Sequence, residues 1–165
     1  MEVVGSFDGV GDIYYAGRKV MGSQSRFIRQ DQLDKSLPPI RGPWRILCVD
    51  DDLASLHLRR AILERAGYQV ISIDRPSEAL EQDLSVIDLI LLDYDMPEMN
   101  GRELFLRLRT ARAICPILLL SGCVEGIPPE VRVLFSTCIT KGTPIEEILA
   151  IVAAYLEQAM MRDAP

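Results

Sequence analysis

The chain has 165 residues, 48% of them hydrophobic and 25% charged, with a net charge of −6. That length allows one domain with a proper core plus a tail, and is too short for two ordinary domains. The acidic balance argues against sequence-independent nucleic-acid binding, which needs a basic surface. No apolar run approaches the roughly 18 residues of a membrane span, and Glu2, Asp8 and Asp12 stand where a signal peptide would carry cations and a continuous apolar stretch. A cytoplasmic protein with neither direct nucleic-acid binding nor membrane contact is expected.

Charge divides the chain near Arg45. Residues 1–45 hold seven Lys/Arg against five Asp/Glu, and residues 46–165 hold eleven against nineteen. The first part has scattered glycines, the polar run GSQSRFIRQDQ and a closing SLPPIRGP, with no sustained period of two or 3.6. Residues 1–44 therefore read as a mobile N-terminal extension with a short helix around residues 26–35. Met21 is an alternative start.

From Arg45 onward, short apolar runs alternate with amphipathic stretches, the signature of βα units around a parallel sheet. The predicted strands are RILCVD (45–50), QVISID (69–74), DLILLD (88–93), PILLLS (116–121) and STCIT (136–140). Their aliphatic continuity suits strands covered on both faces. A helix over residues 53–66 places Leu58, Ile62 and Leu63 on one stripe, and Gly67 ends it. Pro76 opens a second helix, residues 101–111 carry Leu104, Phe105 and Leu108 for a third, Pro128-Pro129 start a short fourth, and Pro144 starts a fifth running to about Met161. The predicted fold is a (βα)5 three-layer α/β sandwich over residues 45–162, with a parallel five-stranded sheet.

In such sheets the binding crevice lies outside the carboxyl ends of the strands. The first predicted strand ends in Asp50-Asp51-Asp52, the third in Asp93, the fourth in Ser121-Gly122 and the fifth in Thr140-Lys141. A sheet order of 2-1-3-4-5 makes these four strands neighbours and leaves Asp74-Arg75 on the far side of the first. Carboxylates converging at short range repel one another unless a cation is bound. Mg2+ suits the site, since two carboxylates, a backbone carbonyl and a phosphoryl oxygen would make a sensible hard-oxygen shell. Lys141 adds a point charge and Ser121 a hydroxyl for further phosphoryl oxygens. Asp93, alone at the end of the central strand, is the candidate nucleophile, and its attack on phosphorus would give an acyl phosphate.

These residues, in the runs ILCVDDD, LILLDYDMPEMNG, LLLSG and TKG, resemble the receiver domain of two-component response regulators over about residues 45–161. Each run alone is weakly specific. Together, with 43 residues from Asp50 to Asp93, 28 to Ser121 and 20 to Lys141, they are specific. The resemblance implies a flavodoxin-like fold, with Asp93 the phosphoacceptor and Asp50 and Asp51 the acidic pair. It makes Asp51 a direct Mg2+ ligand and gives the metal the backbone carbonyl of Asp95. Ser121 would be the hydroxyl switch and Lys141 the site lysine. Met96-Pro97 and Gly101 match the loop leading into the third helix.

Two departures stand out. The family usually follows its lysine with a proline in a cis bond, where this chain has Gly142. An aromatic switch residue usually lies three places before the lysine, where this chain has Cys138. The second departure calls the family's coupled hydroxyl and aromatic motion into question and leaves the phosphorylation chemistry intact. The implied protein is a stand-alone receiver, phosphorylated by a sensor histidine kinase or a histidine phosphotransfer protein. It would signal to a further protein by a population shift at the fourth helix, fifth strand and fifth helix, with a homodimer possible. It would catalyse at most its own phosphorylation and dephosphorylation. Two alternatives remain: a haloacid-dehalogenase-type phosphatase, whose DxD form Asp93-Tyr94-Asp95 shares, and a degenerate receiver that only binds partners.

Other residues read more plainly. Asp52 caps the first helix, His57 is a solvated face residue, and Trp44 anchors the first strand. Val131, Val133, Leu134 and Phe135 pack in the core or form a partner face. Cys48, Cys115, Cys123 and Cys138 show no CxxC or CxxH spacing and read as small buried or half-buried hydrophobes, with no zinc site or disulfide framework.

Overall fold

The computed structural model describes residues 13–15, 18–21 and 44–162. The chain falls into two units, Met1–Pro39 and Ile40–Pro165. In the first, β1 (Ile13–Tyr15) pairs antiparallel with β2 (Arg18–Met21), Tyr15 opposite Arg18. The sequence reading anticipates no strand there. The helix it places around residues 26–35 lies outside the described residues.

The second unit is built on five parallel strands, β3 (Arg45–Val49), β4 (Gln69–Ile73), β5 (Leu89–Asp93), β6 (Ile117–Ser121) and β7 (Thr137–Thr140). Their order is β4-β3-β5-β6-β7, the expected 2-1-3-4-5. Each strand begins or ends within a residue of its predicted limits. Side chains alternate across the sheet: Leu47, Val49, Ile90, Leu92, Ile117 and Leu119 join one apolar cluster, and Ile46, Cys48, Leu89, Leu91, Leu118 and Leu120 join the other. Both faces of β3, β5 and β6 are thus dry, which is why they read as unbroken aliphatic runs.

Helices α1 (Leu53–Arg65) and α5 (Ile145–Arg162) cover the second cluster, with Leu56, Leu63, Ile148, Leu149, Val152 and Leu156 buried. Helix α3 (Gly101–Thr110) covers the first with Leu104, Phe105 and Leu108. The connections α2 (Pro76–Ala79) and α4 (Pro129–Arg132) are single turns. Each opens on a proline whose fixed φ suits a first turn. After α2 the chain moves into a 3-10 turn at Leu84–Val86, which Asp83 caps. The short fourth helix is as expected; the second is shorter than a full crossover helix.

Three local expectations change. Leu58 does not belong to the buried stripe of α1: it is 64% exposed, and the buried residues are Leu56, Arg59 and Leu63. Val131 and Phe135 are core residues, and Phe135 packs on Phe105 with ring centroids 4.9 Å apart. Leu134 is half-buried, whereas Val133 is 79% exposed. Cys123 is exposed; Cys48 and Cys115 are buried, and burial pushes their thiols up to about 12 and about 11, so both stay protonated. Trp44 packs against the α1/α5 cluster and its carbonyl accepts from Gln69 N, which ties the start of β3 to β4. Gly67 takes a φ of 94°, the left-handed turn that ends α1. No helix among the described residues is long and apolar enough to cross a membrane.

Candidate functional site

The carboxyl ends of the strands are tied together before any side chain is considered. Asp50 N donates to Ile73 O, Tyr94 N to Leu120 O and Lys141 N to Ser121 O. These backbone bonds hold Asp50, Asp93, Ser121 and Lys141 at fixed heights along one rim. The following helices are anchored there too. Asp52 caps α1 by accepting from Ala54 N and Ser55 Oγ, which holds its carboxyl below the usual carboxylate range. Asn100 caps α3 by accepting from Glu103 N.

Gly101 explains the close seating of α3. A Cβ at that position would lie 2.6 Å from the carbonyl oxygen of Asp93 and 2.9 Å from Tyr94 Cα. Only glycine lets the helix start against the backbone of β5 and the residue after it. Gly101 N donates to Tyr94 O and Met99 N to Pro97 O, closing the intervening loop. Glu98 within that loop has a φ of 71°, a left-handed conformation that a non-glycine residue seldom adopts.

One carboxylate oxygen each from Asp50, Asp51 and Asp93 lies within 4.8 Å of the others. Asp50 and Asp93 are 0% and 1% exposed, while Asp51 faces solvent. Lys141 Nζ is 2.9 Å from Asp93 Oδ1 and 3.2 Å from Asp50 Oδ2. Asp93 Oδ1 has no well-aligned hydrogen-bond donor, so its contact with Lys141 is an ion pair and the oxygen retains bonding capacity. Burial, partly offset by Lys141 and reinforced by Asp50, raises the Asp93 carboxyl above the usual carboxylate range. Burial alone would lower Lys141, but Asp93 and Asp50 together outweigh it and raise it, so the ammonium stays charged.

The remaining predicted residues fall around this cluster. Ser121 is buried at the end of β6, its Oγ accepting from Cys123 N at 3.1 Å, which leaves the hydroxyl proton free to donate elsewhere. Asp95 is exposed two residues beyond Asp93. Asp74 follows β4, beyond β3 and away from the cluster. No Cβ contact constrains Gly142, and no described peptide bond is cis. Cys138 is half-buried against the α3 cluster.

Arg59 is the residue that the sequence reading misses. Its Nη2 donates to Asp50 Oδ2 at 2.9 Å, with the two side chains 10% and 0% exposed. The available signal was a cation at position 59, between Leu56 and Leu63 at helical spacing, where an apolar residue would complete the stripe.

The sequence matches the response regulator receiver domain family over residues 46–153. It is 37% identical over 84 residues to the cell cycle transcriptional regulator CtrA of Caulobacter vibrioides, covering 49% of this chain and 36% of that protein. It is 31% identical over 119 residues to the cell cycle response regulator CtrA of Brucella ovis, covering 70% of this chain and 51% of that one. The chain thus spans about half or less of the length of these relatives. Among solved structures, a CheY-like receiver domain protein of Methanospirillum hungatei superposes with a TM-score of 0.66 at 26% identity, over 73% of this chain and 99% of the other. The response regulator TrrA of Thermotoga maritima, in complex with Mg2+-BeF, gives 0.63 at 26% identity, over 68% and 98%. With its flavodoxin-like sheet and its acid cluster at the strand ends, the chain belongs to the response regulator receiver domain family.

Proposed function

We propose that the protein is a phosphoacceptor response regulator in a two-component or phosphorelay system, with Asp93 the residue phosphorylated. The observation that carries this reading is the position of Asp93: a buried carboxylate at the end of the central strand, paired with Lys141 through an oxygen that lacks an aligned donor. In the transfer, one carboxylate oxygen of Asp93 attacks phosphorus. The new oxygen–phosphorus bond forms as the nitrogen–phosphorus bond to the donor histidine breaks, and that nitrogen leaves with the bond's electron pair. Lys141 faces the negative charge that gathers on the phosphoryl oxygens, and the free Ser121 hydroxyl proton is placed to donate to one of them.

The acid cluster fits a divalent cation, since it offers hard oxygen donors with one oxygen per residue mutually within 4.8 Å. Asp50, Asp51, Asp93 and the backbone carbonyl of Asp95 are the groups that would hold Mg2+. Bound there, the ion would supply positive charge to the phosphoryl group. The complex of TrrA with Mg2+-BeF supports the choice of metal.

Residues 45–162 form the receiver in this reading, and residues 1–44 an extension to it. The donor is a sensor histidine kinase or a histidine phosphotransfer protein, the setting is the cytoplasm, and the output is a contact with a further protein. The exposed Val133 beside α4 gives that contact an apolar point on the α4, β7 and α5 side. Autophosphorylation and dephosphorylation are the only chemistry required of the chain. The matches to response regulators favour this reading over a haloacid-dehalogenase-type phosphatase.

The test is incubation with acetyl phosphate, with and without Mg2+, followed by intact-mass measurement. One phosphoryl group is expected with Mg2+ and none with a chelator or in Asp93→Ala. A wild-type protein that never acquires the group would leave the binding-only receiver as the better account. Catalytic turnover of a small phosphate ester, abolished in Asp93→Asn, would favour the phosphatase.

A further inference from the structure

The pocket holds a second internal cation that the phosphoryl reading does not use. Arg59 enters from the core face of α1, between Leu56 and Leu63, and is 9% exposed. One of its nitrogens binds Asp50, while Nη1 is buried without a hydrogen-bond partner. Burying a guanidinium with an unused donor is costly, and both leucines beside it on that face belong to an apolar cluster that an aliphatic residue would complete. What compensates the cost is the charge of Asp50. That carboxylate is held at both oxygens: Oδ1 accepts from Asp52 N at 3.0 Å, Oδ2 accepts from Arg59, and Lys141 Nζ lies 3.4 Å and 3.2 Å from the two.

The three carboxylates, Lys141 and Arg59 sum to one net negative charge; without Arg59 they sum to two. A divalent cation is attracted less strongly by the first arrangement than by the second. We propose that Arg59 is a positioning residue that pins Asp50 against α1 and weakens the pocket's affinity for divalent cations, so that the acid cluster holds together when no ion is bound. The proposal rests on the cation reading given above. Arg59 also matters to the phosphorylated state. With a dianionic phosphoryl group on Asp93 and a divalent ion bound, the same groups sum to zero, and to one net negative charge if Arg59 is removed.

The experiment is isothermal titration calorimetry of MgCl2 into the full chain, with folding checked by circular dichroism, for wild type, Arg59→Lys, Arg59→Met, Asp50→Asn and Arg59→Met/Asp50→Asn. Arg59→Met is expected to bind Mg2+ about tenfold more tightly than wild type, and Arg59→Lys within about twofold of it. The tightening should shrink to about twofold in the double variant relative to Asp50→Asn alone, because the through-space charge of Arg59 is still removed but no carboxylate is left to release. A purely structural arginine predicts neither result. Unchanged or weaker binding by folded Arg59→Met overturns the proposal, as does tightening that is undiminished on the Asp50→Asn background. If Arg59→Met is unfolded without metal, saturating MgCl2 should restore its fold, and failure to do so counts against the proposal equally. Absence of Mg2+ binding by every form would sink the cation reading itself, whereas binding without tightening would sink only the role of Arg59.

Discussion

Helices α1 and α3 pack on opposite faces of the sheet, and each follows a strand that ends in an acid of the site, yet their buried faces differ in kind. Helix α3 turns Leu104, Phe105 and Leu108 inward, an uninterrupted apolar stripe. Helix α1 turns Leu56, Arg59 and Leu63 inward and places a guanidinium where its stripe calls for an aliphatic side chain. The difference follows from what each helix meets at the rim. The start of α3 meets the backbone of Asp93 through Gly101, a requirement of shape. The core face of α1 meets the carboxylate of Asp50, a requirement of charge.

Substitution should separate the two requirements. Asp50→Ala leaves Arg59 buried opposite no carboxylate and is expected to cost roughly 3–4 kcal/mol in urea denaturation. On the other helix, Leu108→Ala opens a cavity in a fully buried site and should cost roughly 3 kcal/mol. Only the first is electrostatic, so removing the stranded charge with Arg59→Met should recover part of the first loss and none of the second. Gly101→Ala is next, at roughly 2 kcal/mol, because its Cβ would meet backbone rather than a flexible side chain; if it were neutral, α3 would not be set by that contact.

Asp93→Asn should act in the opposite direction. The Asp93 carboxyl is raised in the fold above its unfolded value, chiefly by burial. The stability associated with its proton is therefore fully present below the unfolded value and lost as pH rises through the folded one. Asparagine cannot ionise, so without divalent cations the variant should exceed wild type near neutral pH, with the difference shrinking as the pH falls and the wild-type carboxyl becomes protonated. A constant difference at all pH values would mean that the charge of Asp93 is not the cause. The smallest effect is expected at Gly142, where an added Cβ meets open space and φ is not left-handed. Gly142→Ala should change stability by less than about 0.5 kcal/mol, as measured by urea denaturation.

The same contrast explains what the sequence discloses. Strands β3, β5 and β6 are legible because burial on both faces leaves nothing but aliphatic residues between their polar ends. Asp50, Asp51, Asp93 and Lys141 are legible as a group because sheet order alone brings their strand ends together. Helix α3 is legible because its core face is apolar throughout. Helix α1 is misread in one respect. Arg59 occupies a core position, so a search for an apolar stripe settles on Leu58, which faces water. Nothing in the sequence spacing reveals that Asp50, nine residues earlier, is its partner, since that pairing depends on how α1 lies across the sheet. The brevity of α2, whose start at Pro76 is legible, and the β1/β2 pair are missed for another reason: segments of three or four residues are too short for a period to declare itself.

The central claim, that Asp93 carries the phosphoryl group, is tested most directly by chemical trapping. Borohydride reduces an acyl phosphate to an alcohol, so a phosphorylated aspartate becomes homoserine in the peptide that contains it. After treatment with acetyl phosphate and Mg2+, peptide mass spectrometry should find homoserine at position 93 and at no other aspartate. Homoserine at Asp50, Asp51 or Asp95, or at none of them in protein that had gained a phosphoryl group, would contradict the account.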